Sequence, residues 1–279
     1  MKIQRDTKVM ITGAASDIGR ATAIAMARRA AHLFLTDINA RGLAETCDLV
    51  LRAGGTIGGQ RVFDITSLEE MQAFAREVHA SAGAIEVLIN NAGIALFALV
   101  EDMCHDHWAK VIDTNLWGAI HAIECFLPEM IRARKGHVVN ISSTAGLTGA
   151  PWHAAYATAK WGLVGLSEVL RYDLGQHRIG VTVVCPGAVD TPLKHSVEIL
   201  AVDKQSRPVQ EVLRRFDKRT VSPEHVAGLI IAAVEKQRFL VITSWDIQLL
   251  YLLKRYCFPA YHMILSRIST MLNRMKAAA

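Results

Sequence analysis

The chain has 279 residues, 51% of them apolar and 20% charged, proportions of a globular chain with one large core and not of a disordered one. Its formal charge of +5 is concentrated late: residues 245–279 carry Lys254, Arg255, Arg267, Arg274 and Lys276 against Asp246 alone, so the body is near neutral and no nucleic-acid-binding face is expected. The five cysteines are scattered without a C-x-x-C pair and the eleven histidines lack metal-ligand spacing, which predicts reduced thiols, a cytoplasmic setting and no metal site.

The N-terminal segment shows no apolar signal region and leads into a short apolar strand, Lys8–Thr12. A helix rich in Ala, Ile and Met follows from about Asp17 to Ala30, then a strand at His32–Asp37 and a helix at Asn39–Ala53. Further strands are predicted at Gln60–Asp64, Glu86–Asn90, His137–Ser142, Gly180–Cys185 and Phe239–Thr243, with helices at Ser67–Ala82, His105–Arg134, Ala155–His177 and Pro223–Lys236. Strands alternating with helices predict an α/β fold, a doubly wound parallel sheet of Rossmann-like type, with ligands at the carboxyl ends of the strands. We expect one domain over residues 1–244, with an irregular charged stretch at about 192–222.

Residues 245–279 form a basic, apolar extension beyond the sheet, expected to be helical. No uncharged apolar run reaches the roughly 20 residues a membrane span requires. Beyond Pro259, Tyr261, Ile264, Leu265, Ile268 and Leu272 fall on one helix face, with Ser266, Arg267, Thr270, Asn273 and Arg274 on another. Such a face can pack on its own domain, on a partner subunit or peripherally on an anionic membrane.

Two constellations carry chemistry. The first strand-to-helix turn reads T-G-A-A-S-D-I-G over Thr12–Gly19. Gly13 permits a sharp turn, Gly19 permits close helix–sheet packing, and backbone N–H groups at the helix start then face a pyrophosphate. Eighteen residues after Gly19, Asp37 ends the second strand. A carboxylate there accepts the adenosine ribose hydroxyls and repels a 2′-phosphate, favouring NAD over NADP; alternatively it only caps the helix that follows. The second constellation is Ser143, Tyr156 thirteen residues on, and Lys160 one helical turn beyond that. A tyrosine with its ordinary pKa of about 10 needs a depression of two to three units, about 3–4 kcal/mol, to exchange protons at neutral pH. A lysine charge about 4 Å away supplies that only in a partly dry cleft.

Together with D-I at Asp64–Ile65, N-N-A-G at Asn90–Gly93, N-L-W-G from Asn115 and C-P-G-A-V-D-T over Cys185–Thr191, these motifs resemble, in order, the short-chain dehydrogenase/reductase family. The resemblance implies an oxidoreductase that moves a hydride between NAD(H) and a secondary alcohol or ketone. It implies Tyr156 as general base or acid, Ser143 rather than Ser142 as donor to the substrate oxygen, and Lys160 bonded to the nicotinamide ribose. Asn115 would support a proton-relay water; a solvated helix kink is the other reading of that residue. Gly13, Asp17, Ile18, Gly19 and Asp37 would hold the pyrophosphate and ribose, Asp64 and Ile65 the adenine, Asn91 and Gly93 the cofactor's flank, and Val189 and Thr191 the carboxamide. Asp17 stands where the family usually has glycine, and a side chain turned to solvent is the expectation for it. The resemblance also implies a nucleotide-binding catalytic domain over residues 1–244 whose stretch at about 192–222 closes over the substrate, and a homodimer or homotetramer; the apolar extension at 245–279 fits a steroid, retinoid or long-chain lipid-like substrate. An NADP(H)-dependent 3-ketoacyl reductase and a non-catalytic NAD(H)-binding regulator are the alternatives.

Overall fold

Parallel strands buried on both faces read as continuous apolar runs, and V-M-I in β1 (Lys8–Thr12), L-F-L in β2 (His32–Asp37) and V-L-I in β4 (Val87–Asn90) are such runs, all fully buried. With β3 (Thr56–Val62), β6 (Gly136–Ile141), β7 (Ile179–Cys185) and β9 (Leu240–Ile242) they form a seven-stranded parallel sheet in the order β3-β2-β1-β4-β6-β7-β9. β5 (Leu96–Phe97) and β8 (Glu198–Ile199) pair separately. The computed structural model describes residues 1–190, 198–201, 210 and 220–277.

Helices cover both faces of the sheet. α1 (Asp17–Ala27), α2 (Ala40–Arg52) and α7 (Pro223–Lys236) bury Met26, Leu43, Val50 and Ile230 against one side. α3 (Leu68–Ala82), α5 (Gly118–Ala133) and α6 (Ala154–Asp173) cover the other, where Phe74, Phe126 and Met130 meet Phe34 and Leu88. The strand order reverses between β1 and β4, so the ligand crevice of the doubly wound sheet opens at their carboxyl ends. This is the Rossmann-like, single-domain architecture that the sequence predicts.

Two elements differ from expectation. The third strand begins at Thr56, not Gln60, and ends at Val62. Gly58 and Gly59 hide its pattern, because glycine has no side chain to show alternation; a Cβ on Gly58 would come within 2.5 Å of the Phe34 ring. The helix predicted over His105–Arg134 is α4 (His105–Ile112), a wide π turn at Asp113–Trp117, and then α5. Arg134 closes α5 in the left-handed region, at φ 51°. Within the expected substrate closure, residues 192–197, 202–209 and 211–219 lie outside the described residues, whereas Leu200 donates its N–H to Phe97 O.

The extension forms α8 (Trp245–Tyr256) and α9 (Phe258–Ala277), folded back on the domain. The Gly149 N–H donates to the Tyr261 hydroxyl at 2.9 Å, and the Trp152 indole N–H donates to Asn273 Oδ1 at 3.0 Å. Lys254 donates to Leu147 O at 2.7 Å and lies 3.7 Å above the centre of the Trp161 ring. Lys276 pairs with Asp102 at 2.6 Å. Among the described residues no helix is long and apolar enough to cross a membrane.

Two glycine substitutions should have opposite signs. Gly58→Ala forces a methyl into the Phe34 ring and should lower stability by about 1–3 kcal/mol. Gly228→Ala, on the exposed side of α7 with nothing within 4 Å of the new Cβ, should raise it by about 0.5–1 kcal/mol. Denaturant midpoints of the two variants check both.

Candidate active site

The glycine turn after β1 is built by close approach. Gly13 is left-handed at φ +66°, and any Cβ on Gly19 would collide with the Gly13 carbonyl, so helix α1 starts directly on the turn. Asn91 ties the turn to β4: its side-chain amide donates to Gly13 O at 2.8 Å and Thr12 O at 3.2 Å, and its backbone N–H donates to the Thr12 hydroxyl. Ile18, half-buried, packs on the core beneath the turn.

Asp17 departs from expectation. It takes φ 53°, a region that favours glycine, and its Oδ1 is buried rather than turned to solvent. The turn keeps the left-handed backbone of a glycine position, and that backbone directs the carboxyl inward.

Asp37 holds a defined orientation. Its Oδ2 accepts the Ala15 N–H at 2.8 Å, within the glycine turn, and its Oδ1 accepts the Asn39 N–H at 2.9 Å. The cap of α2 is Asn39, whose Oδ1 accepts from Gly42 N–H, so capping does not account for Asp37. Asp64 is exposed after β3 and accepts the Thr66 N–H. Ile65 is committed to the core, since a Cβ on Gly118 would strike its side chain; only its backbone remains to meet an adenine.

The other half of the crevice converges on Gly93. A Cβ there would lie 2.5 Å from Asn115 Oδ1 and 3.3 Å from Lys160 Nζ, which brings the N-N-A-G segment, the π turn and α6 to one point. Asn115 is buried, so the solvated-kink reading does not hold. Its Oδ1 accepts the Ile94 N–H at 3.1 Å, and its amide donates to Ile94 O and Val111 O. A π turn shifts the hydrogen-bond register by a residue and recurs at functional sites.

Tyr156 and Lys160 lie one turn apart on α6, and Ser143, two residues past β6, accepts the Ala145 N–H at 3.1 Å and acts on the Tyr156 hydroxyl to lower its pKa. Ser142, the rival serine, is buried and donates to Lys160 O at 2.9 Å, which pins it to the helix backbone. Lys160 is buried, with Nζ donating to Ile141 O at 3.0 Å and lying 5.7 Å from the centre of the Tyr156 ring.

The expected depression of the tyrosine pKa is not found. Burial raises Tyr156 above its ordinary value, against a smaller lowering by the Ser143 hydrogen bond, and burial brings Lys160 down to about 8. Desolvation penalises the charged form of each group and is the largest influence on both. Cys185, also buried here, is held up at about 12 by the same effect.

Val189 follows β7, bridges to Val221 and packs on the core. Thr191 lies outside the described residues. Among the described residues there is no group of three or more His, Cys, Asp or Glu side chains that could hold a metal ion.

Comparison with known proteins agrees with this geometry. The family profile for short chain dehydrogenases matches residues 7–200. The chain belongs to the short-chain dehydrogenase/reductase family. A Mycobacterium tuberculosis protein named as an oxidoreductase, SadH, is 32% identical over 261 residues, covering 92% of this chain and 93% of its own. The 3-oxoacyl-[acyl-carrier-protein] reductase FabG of Thermotoga maritima is 34% identical, covering 80% and 87%. Among solved structures, a short-chain dehydrogenase/reductase from Burkholderia phymatum in complex with NAD superposes with a TM-score of 0.82 at 27% identity, covering 93% of this chain and 96% of that one. An actinorhodin polyketide ketoreductase variant with NADPH gives 0.78 at 27% identity, covering 87% and 97%. The chain is thus an oxidoreductase of this family, with a nicotinamide-cofactor fold.

Phe97 carries no motif in the sequence, whereas His153, three residues before Tyr156, could be expected either to line the substrate site or to be an exposed loop histidine. The Phe97 ring centre is 4.0 Å from that of His153 and 6.3 Å from that of Tyr156, so a small aromatic cluster flanks the phenol. His153 donates Nδ1–H to Pro151 O at 2.6 Å, and burial lowers its pKa, against a smaller raising by that bond. The imidazole is therefore neutral, with Nε2 as the acceptor nitrogen. The signal that would have found Phe97 is an isolated aromatic just past N-N-A-G. Trp152 beside them is buried and left-handed at φ 67°.

Asp17→Gly should stabilise the dehydrogenase by about 1 kcal/mol through relief of the left-handed backbone. It should also leave dinucleotide affinity equal or tighter, since a carboxylate is removed beside a phosphate site. Thermal unfolding and calorimetric titration of NAD test the two halves.

Proposed function

We propose that this chain is an NAD(H)-dependent oxidoreductase that interconverts a secondary alcohol and a ketone, with an apolar, lipid-like body to the substrate. The observation that carries the cofactor preference is Asp37, whose carboxylate is fixed at the end of β2 by two backbone N–H groups. Its remaining lone pairs suit two ribose hydroxyls, whereas a 2′-phosphate there would meet like charge. In this reading Gly13, Asp17, Ile18 and Gly19 form the pyrophosphate cradle, and Asp64 and the backbone of Ile65 take the adenine. Asn91 and Gly93 border the cofactor, and Val189 and Thr191 hold the carboxamide.

Bound dinucleotide supplies hydride exchange with the substrate carbon. The chain handles the proton. Ser143 donates a hydrogen bond to the substrate oxygen, stabilising developing alkoxide character. Tyr156 delivers the phenolic proton in reduction and accepts it in oxidation. Lys160, raised on the Ile141 carbonyl, keeps a positive group behind the phenol and reaches the nicotinamide ribose. Asn115 braces the Ile94 backbone and, through the π turn, supports a water that relays protons from Lys160. Phe97 and His153 give the substrate an apolar wall beside Tyr156, which supports a greasy alcohol.

An exposed stripe on α6, Trp161, Val169 and Tyr172 at helical spacing, supports a homodimer or homotetramer. Five free cysteines support a cytoplasmic setting. An NADP(H)-dependent ketoacyl reductase is the second reading, favoured by the similarity to the Thermotoga maritima reductase and to the NADPH-bound ketoreductase.

kcat/KM measured with NADH and with NADPH on a panel of ketones separates the two readings. A preference for NADH is expected, and Asp37→Ser should shift the ratio toward NADPH by about tenfold or more. A native preference for NADPH would overturn the first reading. Tyr156→Phe should lower kcat by about a thousandfold while NADH still binds.

Because burial keeps Tyr156 protonated well above neutrality, ketone reduction should be nearly independent of pH through the neutral range and fall only in strong alkali. Alcohol oxidation, which needs the phenolate, should climb with pH over the same range. Initial rates in both directions across a buffer series check the sign.

A further inference from the structure

Helix α8 of the C-terminal hairpin α8–α9 is apolar on both of its faces, which a helix packed only on its own domain does not require. On α8 the inward face is occupied: Tyr251 packs on the core, and Lys254 reaches Leu147 O. The outward face carries Trp245, Leu249, Leu252 and Tyr256, at spacings of four, three and four residues, so all four fall in one narrow stripe. Trp245 is 77% and Tyr256 81% exposed. Phe258 at the hairpin turn and Met263 on α9 extend the exposed patch.

The charge on the hairpin is mostly of one sign, with Asp246 as its acidic residue. Arg255, Arg267 and Arg274 are exposed, and residues 247–279 contain no Asp or Glu. Glu168, on α6, is the acidic group that acts on Arg255, as the weakest of several influences on it.

We propose that the outer face of α8–α9 is a docking surface for anionic lipid bilayers. Aromatic side chains at both ends of an apolar stripe suit the headgroup boundary, and an arginine fringe suits acidic lipids. A second copy of the chain fits less well: a two-fold contact through the hairpin sets its arginines against their own counterparts, and the hairpin has no acidic residue beyond Asp246 to meet them. The patch also belongs to the catalytic end of the molecule. The inner side of α9 holds Gly149, Trp152 and Asp102 through Tyr261, Asn273 and Lys276. A docked hairpin therefore brings the loops around Tyr156 close to the lipid. The inference stands independently of which cofactor or substrate the site uses.

Flotation of the full chain with vesicles of phosphatidylcholine, with and without about 30% phosphatidylglycerol, tests this. Binding to the anionic vesicles at a lipid concentration at least about tenfold lower than to the neutral ones is expected, weakening as salt is raised. A stripe variant (Trp245→Ser, Leu249→Ser, Leu252→Ser, Tyr256→Ser) and a fringe variant (Arg255→Gln, Arg267→Gln, Arg274→Gln) should each lose about tenfold or more. Turnover of a short soluble alcohol should be unchanged in both. Failure of the unaltered chain to float with anionic vesicles overturns the proposal, and that comparison needs no variant to fold. Undiminished binding by both variants also overturns it. So does a stripe variant that dissociates to smaller particles in lipid-free solution while the unaltered chain ignores vesicles, because a second copy would then cover the face.

Discussion

A single ammonium buried beneath a phenol sets the terms for everything around it. Lys160 is almost without solvent contact and is held by the Ile141 carbonyl. Burying a cation without full compensation lowers its affinity for the proton, which is why its pKa falls to about 8. The neighbourhood is arranged so that no side chain intrudes. Gly93 lacks the Cβ that would press on Nζ, Ser142 ties the helix backbone to the sheet, and Asn115 holds the adjoining chain at Ile94. Loosening any of these lets water reach the ammonium and changes the potential felt at Tyr156.

The two proton-bearing groups therefore resist ionising rather than share a charge. With Tyr156 raised and Lys160 lowered only to about 8, the resting pair at neutral pH is an intact phenol beside a mostly protonated ammonium. Such a pair is ready to donate. Ketone reduction draws on the form that burial already favours, while oxidation needs the phenolate that burial opposes.

Much of the architecture was legible in the sequence because parallel strands and their covering helices write strong periodic signals. V-M-I, L-F-L and V-L-I mark β1, β2 and β4, and the glycines at 13 and 19 mark the turn that joins sheet to helix. The start of the third strand is hidden since Gly58 and Gly59 give no alternation, although packing against Phe34 demands glycine at 58. The π turn was invisible because D-T-N-L-W has ordinary helical composition, and only the tertiary contacts of Asn115 select the wider turn. Proximity in space was equally hidden: nothing in the spacing of Phe97 and His153 places their rings together, and nothing in Y-x-x-x-K reveals that burial raises the phenol instead of lowering it. The extension showed its two faces, yet only the fold assigns the inner one to Gly149, Trp152 and Leu147.

The wide turn at Asp113–Trp117 also governs which insertions and deletions the chain can absorb. A π turn holds one residue more than regular α geometry allows. Deleting any one of the five would let α4 and α5 join as one regular α-helix, with the facing of the two flanks little changed and the widened turn itself lost. Asn115, carried on that turn, would swing off the Ile94 backbone. The length of this segment is thus under tighter restraint than its composition, and homologous chains that keep the same chemistry should differ here in letters but not in count.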